Sequence, residues 1–107
     1  MNVESNIPIK CTAALGTLEH VYDPEIGLSI VDLGLIYRID FDESRKEVTC
    51  IMTLTTQHCP MGESIKENVE HALKGSFIDY SIRVDLTFDP PWNYERISES
   101  GKEYLKR

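Results

Sequence analysis

The sequence predicts an α+β two-layer sandwich, in which helices cover one face of a three-stranded sheet. Apolar residues recur at helical spacing in two long segments and alternate with polar residues in three others. Each alternating segment has one apolar face, so we expect the helices to lie on the same side of the sheet. The predicted element order is α-β-β-α-β-α, and a chain of 107 residues suits a single domain over 1–107.

The first helix is predicted over residues 9–22. Its apolar positions Cys11, Leu15, Leu18 and Tyr22 lie at helical spacing. Asp23-Pro24 then ends the helix, because the residue before a proline is driven out of the α region. Residues 1–8 are expected to form a short frayed lead-in.

Two alternating segments, 35–41 and 48–54, are predicted to pair as a β-hairpin. The polar stretch 42–46 between them has a length typical of a hairpin loop. In the first strand, Leu35, Tyr37, Ile39 and Phe41 are predicted to face the core, with Ile36 on the opposite side.

The second half of the chain predicts a helix, a strand and a short helix. Pro60 suits the first position of a helix, and Gly75 is expected to end that helix. Strict alternation predicts the third strand over 80–88, before the prolines that follow Asp89. A final helix is predicted over 98–106, with Ser98 or Ser100 as its N-cap.

Composition and charge exclude several classes of function. The formal net charge is −7, which repels phosphate backbones, so we expect no nucleic-acid partner. The chain has no apolar run near the ~20 residues of a membrane-spanning helix. Its first residues include an acid and no apolar core, so we do not expect them to act as a signal peptide. Three cysteines without a close pair argue against a disulfide framework and for a reducing compartment, so we expect the cytoplasm.

Cys59 is the strongest candidate for chemistry. If Pro60 is the first helical residue, Cys59 occupies the N-cap, where unpaired N–H groups and the helix dipole favour a thiolate. A thiolate binds soft metals or attacks sulfur. The alternative is a small half-buried residue that happens to precede a proline. Cys11 and Cys50 lie on apolar stripes and are predicted to be core residues.

Other polar residues form a candidate surface around Cys59. His58 is either a base or second ligand for Cys59 or an exposed loop residue. The acids Asp23, Glu25 and Asp32 are either turn formers or a carboxylate edge near the thiol. Thr53 and Thr55 either reflect the preference of β-branched residues for strands or hydrogen-bond a thiolate. Trp92 is either a lid over the edge of the core or an exposed anchor for a partner.

Five short segments, in this order, carry a family resemblance. They are Asp23-Pro24-Glu25, Ile30-Val31-Asp32-Leu33-Gly34-Leu35-Ile36-Tyr37, Met52-Thr53-Leu54-Thr55, Cys59-Pro60-Met61 and Asp89-Pro90-Pro91-Trp92. Together they resemble the SufT/PaaD-like metal–sulfur cluster biosynthesis domain, which is related to the cytosolic iron–sulfur targeting factors. The resemblance spans almost the whole chain. It implies that Cys59 is the family's reactive cysteine, that Asp23, Glu25 and Asp32 belong to the surface beside it, and that Trp92 is part of the same motif set.

The resemblance implies an accessory maturation factor, not an enzyme, that helps deliver iron–sulfur clusters to client proteins. Its expected partners are those clients and the carriers or scaffolds that supply clusters. A cluster needs four ligands and the chain offers one well-placed thiolate, so any cluster is expected to be transient and shared with a partner or across a homodimer. A cluster-free adaptor that docks a client onto a carrier is an alternative. A cysteine enzyme using His58 and Cys59 is a remoter one.

Overall fold

A computed structural model describes residues 3–56 and 62–106 of the chain. Its elements follow the predicted α-β-β-α-β-α order and confirm the α+β fold class. A 3₁₀ turn at Tyr94–Arg96 precedes the last helix. The helices and strands are α1 (Pro8–Leu18), β1 (Ile36–Asp42), β2 (Glu47–Met52), α2 (Gly62–Ser76), β3 (Ser81–Leu86) and α3 (Glu99–Leu105).

The three strands form one mixed sheet in the order β1-β2-β3. β1 and β2 pair antiparallel through the predicted hairpin, whereas β2 and β3 pair parallel. A parallel pair needs a crossover, and α2 provides it. Cys50 lies at the centre of the sheet, paired with Ile39 on one side and Val84 on the other.

The core lies between one face of the sheet and the helices. The three inward residues of β2, Val48, Cys50 and Met52, are fully buried, while Thr49 and Ile51 on the other face are half-buried. The helices contribute buried stripes, Cys11, Ala14 and Leu18 from α1 and Ile65, Val69 and Leu73 from α2. Of the predicted α1 positions, Cys11 and Leu18 are buried, Leu15 is half-buried and Tyr22 is exposed. Cys11 and Cys50 are therefore confirmed as core residues.

Helix α1 ends four residues earlier than predicted. The helix stops at Leu18, and Tyr22 pairs instead with Ser29 in an isolated antiparallel bridge. The N–H of Val21 still bonds the Leu18 carbonyl at 3.0 Å, so a turn continues the helical spacing beyond the end of the helix. The apolar periodicity therefore overestimated the helix length.

The predicted facing of β1 is wrong at its start. Ile36 is fully buried and Tyr37 is only half-buried, because the pairing register shifts between Ile36 and Arg38. An extra residue in one strand reverses which side chains face the core. Tyr37 instead donates its hydroxyl proton to the carbonyl oxygen of Pro90 at 2.9 Å.

The N-terminal segment lies along the outer edge of β1. The backbone of Glu4 donates to Tyr37 O at 3.1 Å and accepts from Ile39 N at 2.9 Å. The side-chain amide of Asn6 then takes the place of a peptide group, since it accepts from Phe41 N at 2.9 Å and donates to Phe41 O at 2.7 Å. The expected frayed lead-in is thus bonded to the sheet over residues 4–6.

In the part of the chain that the structure describes, no helix is both long and apolar enough to cross a membrane.

Candidate functional site

Cys59 and His58 lie outside the described residues, as do Pro60 and the rest of 57–61. The predicted N-cap at Cys59 therefore stays a prediction. The structure does describe both flanks, with Thr55 half-buried before this segment and α2 continuing from Gly62 after it.

The two flanks of this segment are in close contact. Gly62 is buried, and a Cβ at that position would lie 2.8 Å from Cδ1 of Leu54. A larger residue at position 62 would displace the tip of the Leu54 side chain, so Gly62 allows the start of α2 to pack closely against Leu54, two residues after β2. The chain thus leaves the sheet and enters α2 at nearly the same place.

Thr53 anchors the strand side of this junction from within the core. Its side chain is fully buried, and its N–H donates to the Leu35 carbonyl at 2.8 Å. The hydroxyl donates at 3.4 Å to the carbonyl of Leu54. We predicted Thr53 as part of a surface, but its side chain is buried in the core.

The first acid of the predicted cluster, Asp23, is also a structural residue. Asp23 is 2% exposed, and its carboxylate accepts from Glu25 N at 2.9 Å. Its carbonyl accepts from Gly27 N at 2.8 Å, where the backbone turns with a φ of +86°. This is the turn-forming role that one of the two interpretations assigned to Asp23. Glu25, by contrast, is exposed.

Asp32 connects the acidic loop, residues 23–34, to the C-terminal segment. Its Oδ1 accepts from the Ser98 hydroxyl at 2.8 Å, and its backbone carbonyl accepts from Ser98 N at 2.7 Å. The hydroxyl of Ser29 lies 3.4 Å from Oδ2 of the same carboxylate. The Asp32 side chain is half-buried, so the carboxylate is only partly available to a ligand.

Trp92 and Arg96 continue this contact along the loop. The indole N–H of Trp92 donates to Leu33 O at 2.6 Å, and Arg96 Nε donates to Gly34 O at 2.9 Å. The Arg96 guanidinium lies 4.2 Å from the centroid of the Tyr37 ring, within range of a cation–π interaction. Trp92 is half-buried against the core, so the structure favours the lid over the anchor.

Sequence reasoning missed Arg96 and Gly34 as partners. A Cβ on Gly34 would lie 2.3 Å from the carbonyl oxygen of Arg96, and Gly34 has a φ of +73°. Glycine is thus required twice over, for its conformation and for this approach. The sequence shows Gly34 in a turn-forming stretch, but no neighbouring residue indicates its partner Arg96, 62 positions away.

The described cysteines, Cys11 and Cys50, are both buried free thiols. Burial raises the pKa of Cys50 to about 12, with smaller contributions from Cys11 and Asp85. Burial also raises the pKa of Cys11, partly offset by a hydrogen bond with Ser5. Both cysteines therefore stay protonated at neutral pH. Within residues 3–56 and 62–106, no group of three or more His, Cys, Asp or Glu side chains is arranged to hold a metal ion.

Comparison with known proteins places this architecture in a family. The family model described as "Iron-sulfur cluster assembly protein" matches residues 12–87, from α1 through the end of β3. The chain belongs to this iron–sulfur cluster assembly protein family. The match includes Cys59 and all three acids of the loop, while Trp92 and α3 lie beyond it.

Curated relatives of this family member confirm the predicted resemblance. The chain is 42% identical over 84 residues to the "Fe-S protein maturation auxiliary factor" of Porphyromonas gingivalis, covering 78% of this chain and 79% of the relative. It is 37% identical over 82 residues to the Staphylococcus aureus "Fe-S protein maturation auxiliary factor SufT", covering 77% and 92%.

A solved structure shows the same fold. A domain of unknown function from Bacillus anthracis superposes with a TM-score of 0.83 at 35% identity, covering 89% of this chain and 90% of that one. That domain therefore has the same overall fold as this chain.

Proposed function

We propose that this chain is an auxiliary factor in the maturation of iron–sulfur proteins, and that Cys59 handles the cluster as cargo. The relatives from P. gingivalis and S. aureus carry the name of such a factor, and they match over more than three-quarters of this chain. In this role the protein is an accessory factor and not an enzyme. Its partners are cluster carriers or scaffolds on one side and client apoproteins on the other.

The assignment to Cys59 depends on the state of the other two thiols. A cysteine binds iron or attacks sulfur as its thiolate. The chain has three cysteines, and burial holds Cys11 and Cys50 in the core as neutral thiols. This is the observation that carries the proposal, because it leaves Cys59 as the cysteine for chemistry. Free thiols also suit a reducing cytoplasm.

Ligand number then defines how a cluster is held. An iron–sulfur cluster takes four protein ligands, and one available thiolate cannot supply them. In our proposal the remaining ligands come from a second chain, a partner or a small thiol. A cluster held this way is labile, which suits transfer to a client.

The described residues around the Cys59 segment support it as a scaffold. Thr53 bonds the strand-side flank to Leu35, and Leu54 packs against Gly62 at the start of α2. Asp23 and Asp32 shape the neighbouring loop through the hydrogen bonds of their carboxylates. We assign these residues and Trp92 as positioning residues, and Thr55, His58 and exposed Glu25 as candidates for direct contact with cargo or partner.

Anaerobic reconstitution with iron and sulfide tests the proposal. We expect the wild type to gain the absorption and Mössbauer spectra of a cluster, and Cys59→Ser to lose them. The matched control is a Cys11→Ala/Cys50→Ala chain, in which Cys59 is the remaining cysteine and cluster loading is retained. Equal loading of wild type and Cys59→Ser contradicts the proposed role of Cys59.

A client assay separates cluster handling from simple docking. We expect Cys59→Ala to bind an apo iron–sulfur protein as the wild type does but to leave it immature. If Cys59→Ala instead supports full client maturation, the chain acts as a cluster-free adaptor and the proposal for Cys59 is wrong.

A further inference from the structure

The two edges of the sheet differ in whether another described segment covers them. The backbone of Glu4 and the amide of Asn6 cover the edge of β1. β3 forms the opposite edge, and within the described residues it pairs with β2 alone. An uncovered edge strand is a template for pairing with another chain.

The hydrogen bonds to β2 show which groups of β3 face outward. Ser81 N donates to Lys46 O and Thr87 N donates to Met52 O, each at 2.8 Å. In a parallel ladder, the residues that bond the neighbouring strand alternate with those that do not. The N–H and C=O groups of Ile82, Val84 and Leu86 therefore point away from the sheet. Within residues 3–56 and 62–106, no backbone group of a turn, loop or helix cap bonds them.

The types of side chain along β3 are arranged symmetrically about Val84. Around Val84, the strand has Arg83 and Asp85 at one position on either side and Ile82 and Leu86 at two. If two copies pair antiparallel about Val84, Ile82 of each copy lies opposite Leu86 of the other. Half-buried Ile82 and Leu86 then gain cover on the helix side of the sheet.

The charges of β3 favour this register over its neighbours. On the open face, Arg83 of each copy lies opposite Asp85 of the other, which gives two oppositely charged cross-strand pairs. A shift by two residues keeps the backbone pairing possible but brings Arg83 opposite its own equivalent, or Asp85 opposite its own. Like charges directly opposite are unfavourable, so the pattern permits one register and opposes those beside it.

We infer that the edge of β3 is a self-association surface, and that its occupant is β3 of a second copy of this chain. The pairing is isologous, with a twofold axis at Val84, and it extends the sheet to six strands across two copies. Three residues in each copy, Ile82, Val84 and Leu86, donate and accept the interchain hydrogen bonds. This inference is independent of the function proposed for Cys59.

Arg83 and Asp85 are suitable for testing the register because both are exposed enough to change without disturbing the core. Their side chains are 66% and 43% exposed, and within one chain they form an ion pair at 3.1 Å. Reversing either charge places like charges opposite each other at both cross-strand pairs. Reversing both restores two opposite pairs in the same register.

The molar mass in solution, measured by light scattering and sedimentation equilibrium up to millimolar concentration, is the test. We expect the wild type to reach twice the chain mass of 12.2 kDa. Arg83→Asp and Asp85→Arg should each weaken association by about tenfold or more. The double variant should recover it, and an equimolar mixture of the two single variants should form a heterodimer.

Two outcomes overturn the inference. A wild type that stays monomeric at every concentration shows that the β3 edge does not bind its own copy. A dimer whose affinity is unchanged in both single variants forms through another surface. Circular dichroism and cooperative urea unfolding of each variant establish that the chains are folded. Concentration-dependent protection of the Ile82, Val84 and Leu86 amides from hydrogen exchange provides a second readout.

Discussion

Ser98 and Asp32 hold the C-terminal helix against the acidic loop through a single hydroxyl. The Ser98 Oγ donates to Asp32 Oδ1 at 2.8 Å and accepts from Gly101 N at 3.0 Å, so it caps α3 and contacts the loop at once. The neighbouring backbone bond, from Ser98 N to Asp32 O at 2.7 Å, adds to the same connection. The orientation of the loop and the start of α3 are thus coupled.

Ser98→Ala should lower the free energy of unfolding by roughly 2.5 kcal/mol or more. The substitution removes an N-cap, which is worth about 1 kcal/mol, and a hydrogen bond to a charged group, worth about 1.5–3 kcal/mol. Urea denaturation measures the loss. Ser100→Ala is the matched control, since Ser100 is exposed in the same helix and should change stability little. Equal effects of the two substitutions would contradict the coupling.

Gly34→Ala should destabilise the fold by roughly 2 kcal/mol or more. Gly34 has a φ of +73°, and an added Cβ would lie 2.3 Å from the Arg96 carbonyl oxygen. Gly16→Ala in α1 is the opposite case, because nothing lies within 4 Å of a Cβ there. It should stabilise by about 0.5–1 kcal/mol through the helical preference for alanine. Thermal and urea unfolding compare the two variants, and similar shifts in both would argue against the proposed contact.

Stability should fall with rising pH above about 9 because of Cys50. Burial raises its pKa from 9.0 to about 12, so the unfolded chain loses this proton at a lower pH than the folded chain does. The stabilisation is fully present below the unfolded pKa and is lost progressively as the pH rises toward the folded one. The expected contribution is a slope of about −1.4 kcal/mol per pH unit.

Urea unfolding between neutral pH and pH 11 measures this slope, and Cys50→Ala provides the comparison. The variant has a lower stability at neutral pH because it leaves a cavity, but it should lose the Cys50 share of the slope. A slope unchanged by the substitution would mean that other groups cause the alkaline loss.

Trp92→Phe should cost about 1 kcal/mol of folding stability. Phenylalanine keeps an aromatic ring over the loop but removes the N–H that donates to Leu33 O at 2.6 Å. Tyr94→Phe nearby is the control, since it removes an exposed hydroxyl and preserves the ring beside Lys102. We expect no measurable change for Tyr94→Phe in urea unfolding. A loss for that variant as large as for Trp92→Phe would show that the indole bond is not the cause.

Local patterns predicted most of the fold correctly. The alternation in β2 follows a single periodicity, so spacing alone predicted its buried residues. In α1 the same reasoning predicted Cys11 and Leu18 correctly but also named Tyr22, which is exposed. Spacing did not predict which side chains face the core at the start of β1, because the bulge before Arg38 reverses the facing of Ile36 and Tyr37. A bulge depends on the partner strand, and the sequence of one strand does not specify it.

The contacts of the described candidate residues were not readable from the sequence. Asp23 and Asp32 were recognisable as polar residues in a turn-rich loop, with two possible roles each. Their partners separate those roles: Asp23 bonds its own turn, and Asp32 bonds Ser98 at a separation of 66 residues. No local rule connects residues so distant in the chain.

By itself, the sequence determined the class of fold, the order of its elements, the burial of Cys11 and Cys50, and the family to which the chain belongs. Each of these follows from spacing or motifs within a few neighbouring residues. The tertiary structure alone decided the strand order, the covered edge of β1, the edge of β3 that no other described segment pairs with, and the packing of Trp92, Arg96 and Ser98 along the acidic loop. These features depend on which distant segments meet, and that outcome is set by the packing of the whole core.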